Sequence, residues 1–172
     1  MEDKDYILLF KDSIHHGMLE NFQRDGYLRP IAFFLHKIPI DGSPFEMTEP
    51  LPVIIPIDKY LSGDSDWKQS LAYAMHKMCE NPLVIAAGLV IEGNGAKFHV
   101  DDELGKLVQS GAVKISELKV KQDIIVMMFS TPAEEELFIY DVDIKNKTVG
   151  ERFPESHNFN GLLTNLFGWN KN

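Results

Sequence analysis

The chain has 172 residues, of which 44% are hydrophobic, and a formal net charge of −9. This length and apolar share indicate one globular domain and exclude a disordered chain. The acidic balance and the scattered Lys and Arg residues argue against general nucleic-acid binding, which needs a basic face. The single cysteine, Cys79, excludes an intrachain disulfide and a zinc site built on several cysteines.

The acidic N-terminus lacks the apolar stretch of a signal peptide, and no apolar run approaches the roughly 18 residues of a membrane span. One cysteine also suits a reducing compartment. We therefore expect a protein of the bacterial or host-cell cytoplasm that has no membrane segment and no cofactor.

The first part of the chain predicts a helix and two strands. Apolar residues recur at helical spacing over residues 1–24: Ile7, Phe10, Ile14, Met18 and Phe22. Gly17 costs this helix about 1 kcal/mol against Ala, so it either permits close packing or marks a break. Asp25-Gly26 predicts the helix end. Strands are expected over residues 27–37 and 53–57, and the prolines that flank the second strand place it at a sheet edge.

The middle of the chain predicts a second helix and a buried strand. Residues 64–80 carry an apolar stripe that includes Trp67, Leu71 and Met75, with Asp64 or Ser65 as the cap. Residues 83–91 are nearly all apolar and predict a strand at the sheet centre. Asp101-Asp102 can cap a short helix.

Residues 124–144 predict a β-hairpin. Residues 124–129 form an unbroken apolar run, Pro132 interrupts it, and residues 137–144 alternate between apolar and polar faces. A short third strand is expected from residue 148. Strands joined by short connections are antiparallel. The sequence therefore predicts an α+β fold in one domain, residues 1–172: a single, mostly antiparallel sheet with helices packed on it, in the order α-β-β-α-β-β-β-α.

The C-terminal tail, residues 158–172, has apolar side chains at helical spacing and predicts a terminal amphipathic helix that ends at Gly168. This helix either packs on its own sheet or docks on a neighbouring subunit or partner. The side chains expected to contact a partner are Phe159, Leu163, Leu166, Phe167 and Trp169.

Residues 18–35, MLENFQRDGYLRPIAFFL, resemble the opening of a family of small uncharacterised proteins from bacteriophages and bacteria. In that pattern a helix ends in Asp-Gly, a strand with proline near its start follows, and a second strand, a helix, an apolar strand and a hairpin come later. The resemblance implies an accessory protein of phage or bacterial origin, and it carries no catalytic residue over to this chain.

Three short groups could support chemistry. His15 and His16 with Glu20 are the first group: on a helix His16 and Glu20 are i and i+4, so the group either binds a metal ion or forms a polar helix face. His76, Cys79 and Glu80 share one helix side, but a thiol at a helix C-terminus is poorly placed to ionise, which favours a buried structural thiol. Residues 92–95, Glu-Gly-Asn-Gly, either bind a ligand through Glu92 and Asn94 or form a hairpin-type turn.

Two functions follow from these patterns. The first is a non-enzymatic interaction protein, expected to be a homo-oligomer that binds a host protein or a small ligand. The alternative is a metal-dependent hydrolase that uses the helix with His15 and His16. The sequence favours the first function because it contains no convincing catalytic set.

Overall fold

The computed structural model describes residues 1–41, 48–61, 66–95, 102–114, 117–119, 121–152 and 165–168. One six-stranded antiparallel sheet, ordered β2-β1-β3-β4-β5-β6, organises the chain. The elements in chain order are α1 (Asp3–Asp25), β1 (Ile31–Pro39), β2 (Thr48–Pro56), α2 (Asp58–Leu61), α3 (Trp67–Cys79), β3 (Val84–Gly95), α4 (Glu103–Gln109), β4 (Gln122–Ser130), β5 (Glu135–Asp143) and β6 (Thr148–Arg152).

This architecture confirms the predicted α+β class, the antiparallel sheet and the hairpin formed by β4 and β5. Helix α2 was not predicted from the sequence. Helix α3 was predicted, but it begins at Trp67, and its proposed caps, Asp64 and Ser65, lie outside the described residues. The short helix after Asp102 is confirmed, since the Asp102 carboxylate accepts a hydrogen bond from the Leu104 amide at 2.9 Å. No described helix is long and apolar enough to cross a membrane.

Helix α1 packs on one face of the sheet through a stripe of buried side chains: Phe10, Ile14, Met18 and Phe22. The ring of Phe10 meets Phe33 of β1 edge-on at 5.6 Å and lies 6.2 Å from Phe129 of β4. The helix ends as predicted at Gly26, whose φ of 76° is left-handed and whose amide donates to the Phe22 carbonyl at 2.7 Å.

Gly88 of β3 shows how closely this face is packed. It pairs with Phe33 on one side and Phe129 on the other, and the two rings lie 5.7 Å apart. A Cβ at this position would collide with the Met128 carbonyl oxygen and the Phe33 ring. Glycine is therefore required here by close approach of neighbouring strands.

Helix α3 packs on the opposite face, where a second buried cluster joins the sheet to the tail. Leu71, Met75 and Cys79 face the sheet side chains Phe34 and Leu89. The described part of the tail is a turn in which the Gly168 amide donates to the Asn165 carbonyl at 3.0 Å. The rest of the predicted terminal helix lies outside the described residues.

The edge position predicted for β2 is confirmed, although the strand begins earlier than expected, at Thr48. Pro50, Pro52 and Pro56 occupy alternate positions opposite β1. A proline nitrogen cannot donate to a neighbouring strand, so these three nitrogens face the outer edge. The outer edge of β2 is therefore poor in amide donors, which protects it against pairing with another strand.

Strand β3 is longer than the predicted strand, since it continues through residues 92–95 to Gly95. Glu92, Gly93 and Asn94 pair with Ile125, Ile124 and Asp123 of β4. The proposed loop or turn at this segment is therefore wrong. The hydrogen-bonding partner supplied by β4 outweighs the weak strand preference of the Gly-Asn-Gly sequence.

Candidate functional site

A cleft of about 380 Å³ lies between the C-terminal half of α1 and the sheet, and we call it the α1 cleft. Apolar side chains from α1, β1, β2, β3 and the connection before β1 line it: Ile14, Met18, Leu28, Ile31, Ile54 and Val90. Polar residues and Tyr27 complete the lining: Ser13, Asn21, Arg24, Asp25, Tyr27 and Arg29. A concave, mainly apolar cavity of this size with a few polar groups is typical of a small-molecule site.

The cleft exists because α1 does not cover the outer strand β2. Ile54 of β2 points to the same face as its partner Phe33, yet it is 54% exposed whereas Phe33 is fully buried. Gly17 opens the cleft further on the helix side. A Cβ at Gly17 would meet no atom within 4 Å, and α1 continues through this residue without a break.

Neither explanation offered for Gly17 from the sequence is therefore correct. The glycine does not permit close packing, because the space beside it is open, and it does not end or divide the helix. A glycine inside a helix is destabilising by about 1 kcal/mol relative to Ala. Its visible structural consequence is to leave the α1 cleft wider than any other residue would.

A second, smaller cavity of about 200 Å³ contains the predicted ligand-binding residues Glu92 and Asn94. The structure brings these two residues together with Asp123 on one wall. The Glu92 carboxylate accepts a hydrogen bond from the Leu28 amide at 2.5 Å. Since Leu28 lines the α1 cleft, Glu92 acts as a support for the cleft wall.

The electrostatics of Glu92 agree with a partly buried supporting role. Burial raises the pKa of the Glu92 carboxyl, the hydrogen bond from Leu28 opposes this change, and the nearby Asp123 carboxylate adds to it.

A broader depression of about 720 Å³ lies beside the β4, β5 and β6 ends. It is shallow and has charged residues along its lining, so we favour the α1 cleft as the binding site.

The structure separates the predicted metal ligands. His16 and Glu20 form an exposed ion-pair contact at 3.1 Å on the solvent side of α1, with the His16 side chain 73% exposed. His15 points toward the sheet instead, where its Nε2 lies 2.5 Å from the Tyr140 hydroxyl. Among the described residues no three His, Cys, Asp or Glu side chains are grouped to hold a metal ion.

His15 belongs to an aromatic contact between α1 and β5. Its ring meets Phe138 and Tyr140 edge-on, at 4.8 Å and 5.6 Å between centroids. Burial lowers the pKa of His15, and the nearby Arg152 guanidinium lowers it further. A neutral imidazole that bonds to a tyrosine hydroxyl helps to attach α1 to the sheet.

The cysteine group is structural. Cys79 is buried against the α3 face, and this burial raises the pKa of its thiol to about 12, so it is not a thiolate at neutral pH. His76 is also buried, with Nδ1 3.3 Å from the Leu166 carbonyl oxygen. The Glu80 carboxylate accepts two hydrogen bonds from the Lys77 ammonium.

The tail residues predicted to bind a partner are only partly within the described chain. Leu166 is 2% exposed and packs in the cluster on the α3 face, and Phe167 is partly buried beside it. For these two residues the structure favours packing on the chain's own sheet. Phe159, Leu163 and Trp169 lie outside the described residues.

No protein-family model, curated protein or solved structure matches this chain. The candidate site therefore stands on the geometry alone. Sequence patterns did not identify its lining, because Ile54 and Val90 reach the cleft only through strand pairing and Tyr27 lies in the connection between α1 and β1. The one available signal was Gly17, an isolated glycine within an amphipathic helix.

Proposed function

We propose that this chain is a non-enzymatic binding protein that holds a small, mainly apolar molecule in the α1 cleft. The observation that carries the proposal is the open space beside Gly17. The helix retains a destabilising glycine that no packing contact requires, and the glycine lies directly on the wall of a mainly apolar cleft. A need for open space to bind a ligand explains why the helix contains a residue that lowers its stability.

The chemistry of the described lining supports binding rather than catalysis. The lining contains no histidine, cysteine or lysine, and its one carboxylate, Asp25, is engaged by the Arg24 guanidinium at 2.7 and 2.9 Å. The hydroxyl groups of Ser13 and Tyr27 need an adjacent base to act as nucleophiles, and the described lining offers no unengaged base. The polar groups around this cleft are suited to orienting a ligand.

The accessory role in phage or bacterial cells and the self-association predicted from the sequence are part of the same proposal. Strand pairing through β2 is a poor route to self-association because its outer edge is interrupted by prolines. Native mass spectrometry of gently purified protein reports the number of subunits and the mass of any retained small molecule in one measurement.

The direct test uses the neutral fluorophore N-phenylnaphthylamine, whose emission rises in apolar surroundings. We expect saturable binding with one site per chain. Gly17→Leu fills the open space and should weaken binding by about tenfold or more, which corresponds to about 1.4 kcal/mol. Leucine is a better helix former than glycine, so this variant should remain folded.

Gln23→Leu is the matched control, because it adds the same side chain to an exposed position of α1 outside the cleft lining. This variant should bind the fluorophore as the unmodified chain does. Unchanged binding by a folded Gly17→Leu variant would contradict the proposal, and so would an equal loss of binding in both variants.

A further inference from the structure

The charged residues of the α1 cleft differ in sign from the chain as a whole. The chain has a net charge of −9 and three arginines, and two of these arginines, Arg24 and Arg29, line the cleft. The described lining contains one acidic residue, Asp25. Asp58, which pairs with Arg29 at 2.8 Å, balances the remaining positive charge, so the attraction of an anion depends on the unused guanidinium donors and not on a net positive charge.

The two arginines are not equally available to a ligand. Arg24 donates through Nε and Nη2 to both carboxylate oxygens of Asp25 and also to the Asn21 side chain. Arg29 uses Nε alone, in a bond of 2.8 Å to Asp58 of α2, and makes no other bond within the described residues. Both Nη groups of Arg29 therefore have donors to offer.

The hydrogen bond from Nε to Asp58 fixes one edge of the Arg29 guanidinium. The two Nη groups at the other end form the fork that binds a carboxylate or sulfonate through two parallel hydrogen bonds. A cationic ligand would meet two arginines whose carboxylate partners, Asp25 and Asp58, are already engaged. The lining thus combines an apolar body site with one anion-binding end.

We propose that the α1 cleft binds an organic anion with an apolar body, its acidic head held by Arg29 and its body packed beneath Gly17. This inference rests on the proposed function, since it names the ligand class of the same cleft. The apolar part would contact Ile14, Met18 and Leu28, which supply the wall beneath α1. Arg29 acts as the specificity-determining residue.

Two fluorophores that share an apolar body test this inference. Anilinonaphthalene sulfonate carries an anionic head, whereas N-phenylnaphthylamine is neutral. At low ionic strength the sulfonate should bind about tenfold more tightly, the size expected of a charge-assisted hydrogen bond. Raising the salt concentration should reduce this preference because the arginine is partly exposed.

Arg29→Gln should abolish the preference for the sulfonate, and saturable binding of the neutral fluorophore by this variant shows that the cleft is intact. Arg29→Lys keeps the charge without the fork and should retain part of the preference. Lys59→Gln is the matched control: it makes the same change in net charge beside Asp58, outside the cleft lining, and should retain the full preference.

The outcomes separate the two proposals. Equal affinities for both fluorophores in the unmodified chain, or a full preference in Arg29→Gln, would overturn the anion assignment while the cleft stands as a binding site. If Gly17→Leu leaves the binding of both fluorophores unchanged, the cleft itself is not the site, and both proposals fail.

Discussion

Helix α1 crosses its face of the sheet with a glycine beside open space, whereas α3 crosses the other face with buried side chains at Leu71, Ala72, Met75, His76 and Cys79. The tail adds Leu166 to the α3 face, but no described residue fills the space beside Gly17. One face is thus closed by its own chain and the other keeps a cleft.

The open space does not come from loose packing of the whole α1 face. On that same face Gly88 is enclosed so tightly by Phe33 and the Met128 carbonyl that no Cβ fits. The comparison of the two glycines shows that the cleft is local. It lies where α1 stops short of β2 and where the helix lacks a side chain.

The largest expected effect tests the tight part of the α1 face. Gly88→Ala should destabilise the protein by about 3 kcal/mol, because the new methyl group must displace a neighbouring strand or the Phe33 ring. Urea unfolding followed by circular dichroism measures the change. Gly93→Ala is the control on the same strand, since its Cβ would meet nothing within 4 Å. A similar loss in both variants would show that strand flexibility, not enclosure, sets the cost.

The next effect tests closure of the α3 face by the tail. Leu166→Ala removes a fully buried side chain and should cost about 2 kcal/mol of unfolding free energy. A tail that docked only on a partner would give an unchanged unfolding midpoint at low protein concentration. That result would restore the docking interpretation for Leu166.

A smaller effect tests the support of the cleft wall. Glu92→Leu leaves the Leu28 amide without its acceptor and should cost about 1 to 2 kcal/mol. Glu92→Gln keeps an acceptor oxygen and should be close to neutral near pH 4. The difference in thermal stability between the two variants measures the contribution of the hydrogen bond from the Leu28 amide, because only Glu92→Gln keeps an acceptor.

The same pair of variants has a predicted pH dependence. Because burial raises the pKa of Glu92, the folded protein binds its proton more tightly than the unfolded chain does. This carboxyl therefore lowers stability as pH rises from the ordinary glutamate pKa through the raised pKa. Glu92→Gln should gain stability relative to the unmodified chain over that window. A loss of relative stability with rising pH would contradict the assignment.

The smallest expected effect has the opposite sign. Gly17→Ala should stabilise the protein by about 1 kcal/mol, because alanine is the better helix former and its methyl group enters open space. Differential scanning calorimetry measures the rise in melting temperature. A fall would show that Gly17 is needed for packing and would remove the main support for the cleft as a binding site.

Patterns that depend on neighbouring residues could be read from the sequence. The stripe of α1, its end at Gly26, the β4–β5 hairpin and the edge position of β2 follow from local spacing and from proline and glycine chemistry. The extension of β3 through Asn94 could not be predicted in this way, because it depends on pairing with β4.

The candidate site could not be predicted from the sequence for the same reason. Most of its lining lies within residues 13–31, but Ile54 and Val90 reach it only through the sheet order, and its central residue has no side chain to suggest chemistry. Residues that looked chemical, such as His15 and Cys79, instead stabilise the contacts of α1 and α3 with the sheet.

The most direct test of this account is amide chemical-shift mapping of the folded protein during titration with N-phenylnaphthylamine. We expect the largest shifts at Gly17, Leu28 and Ile54, around the α1 cleft, and small shifts at Met75 and Leu166 on the α3 face. Shifts concentrated on the α3 face, or spread evenly over both faces, would contradict the claim that the open face is the binding face.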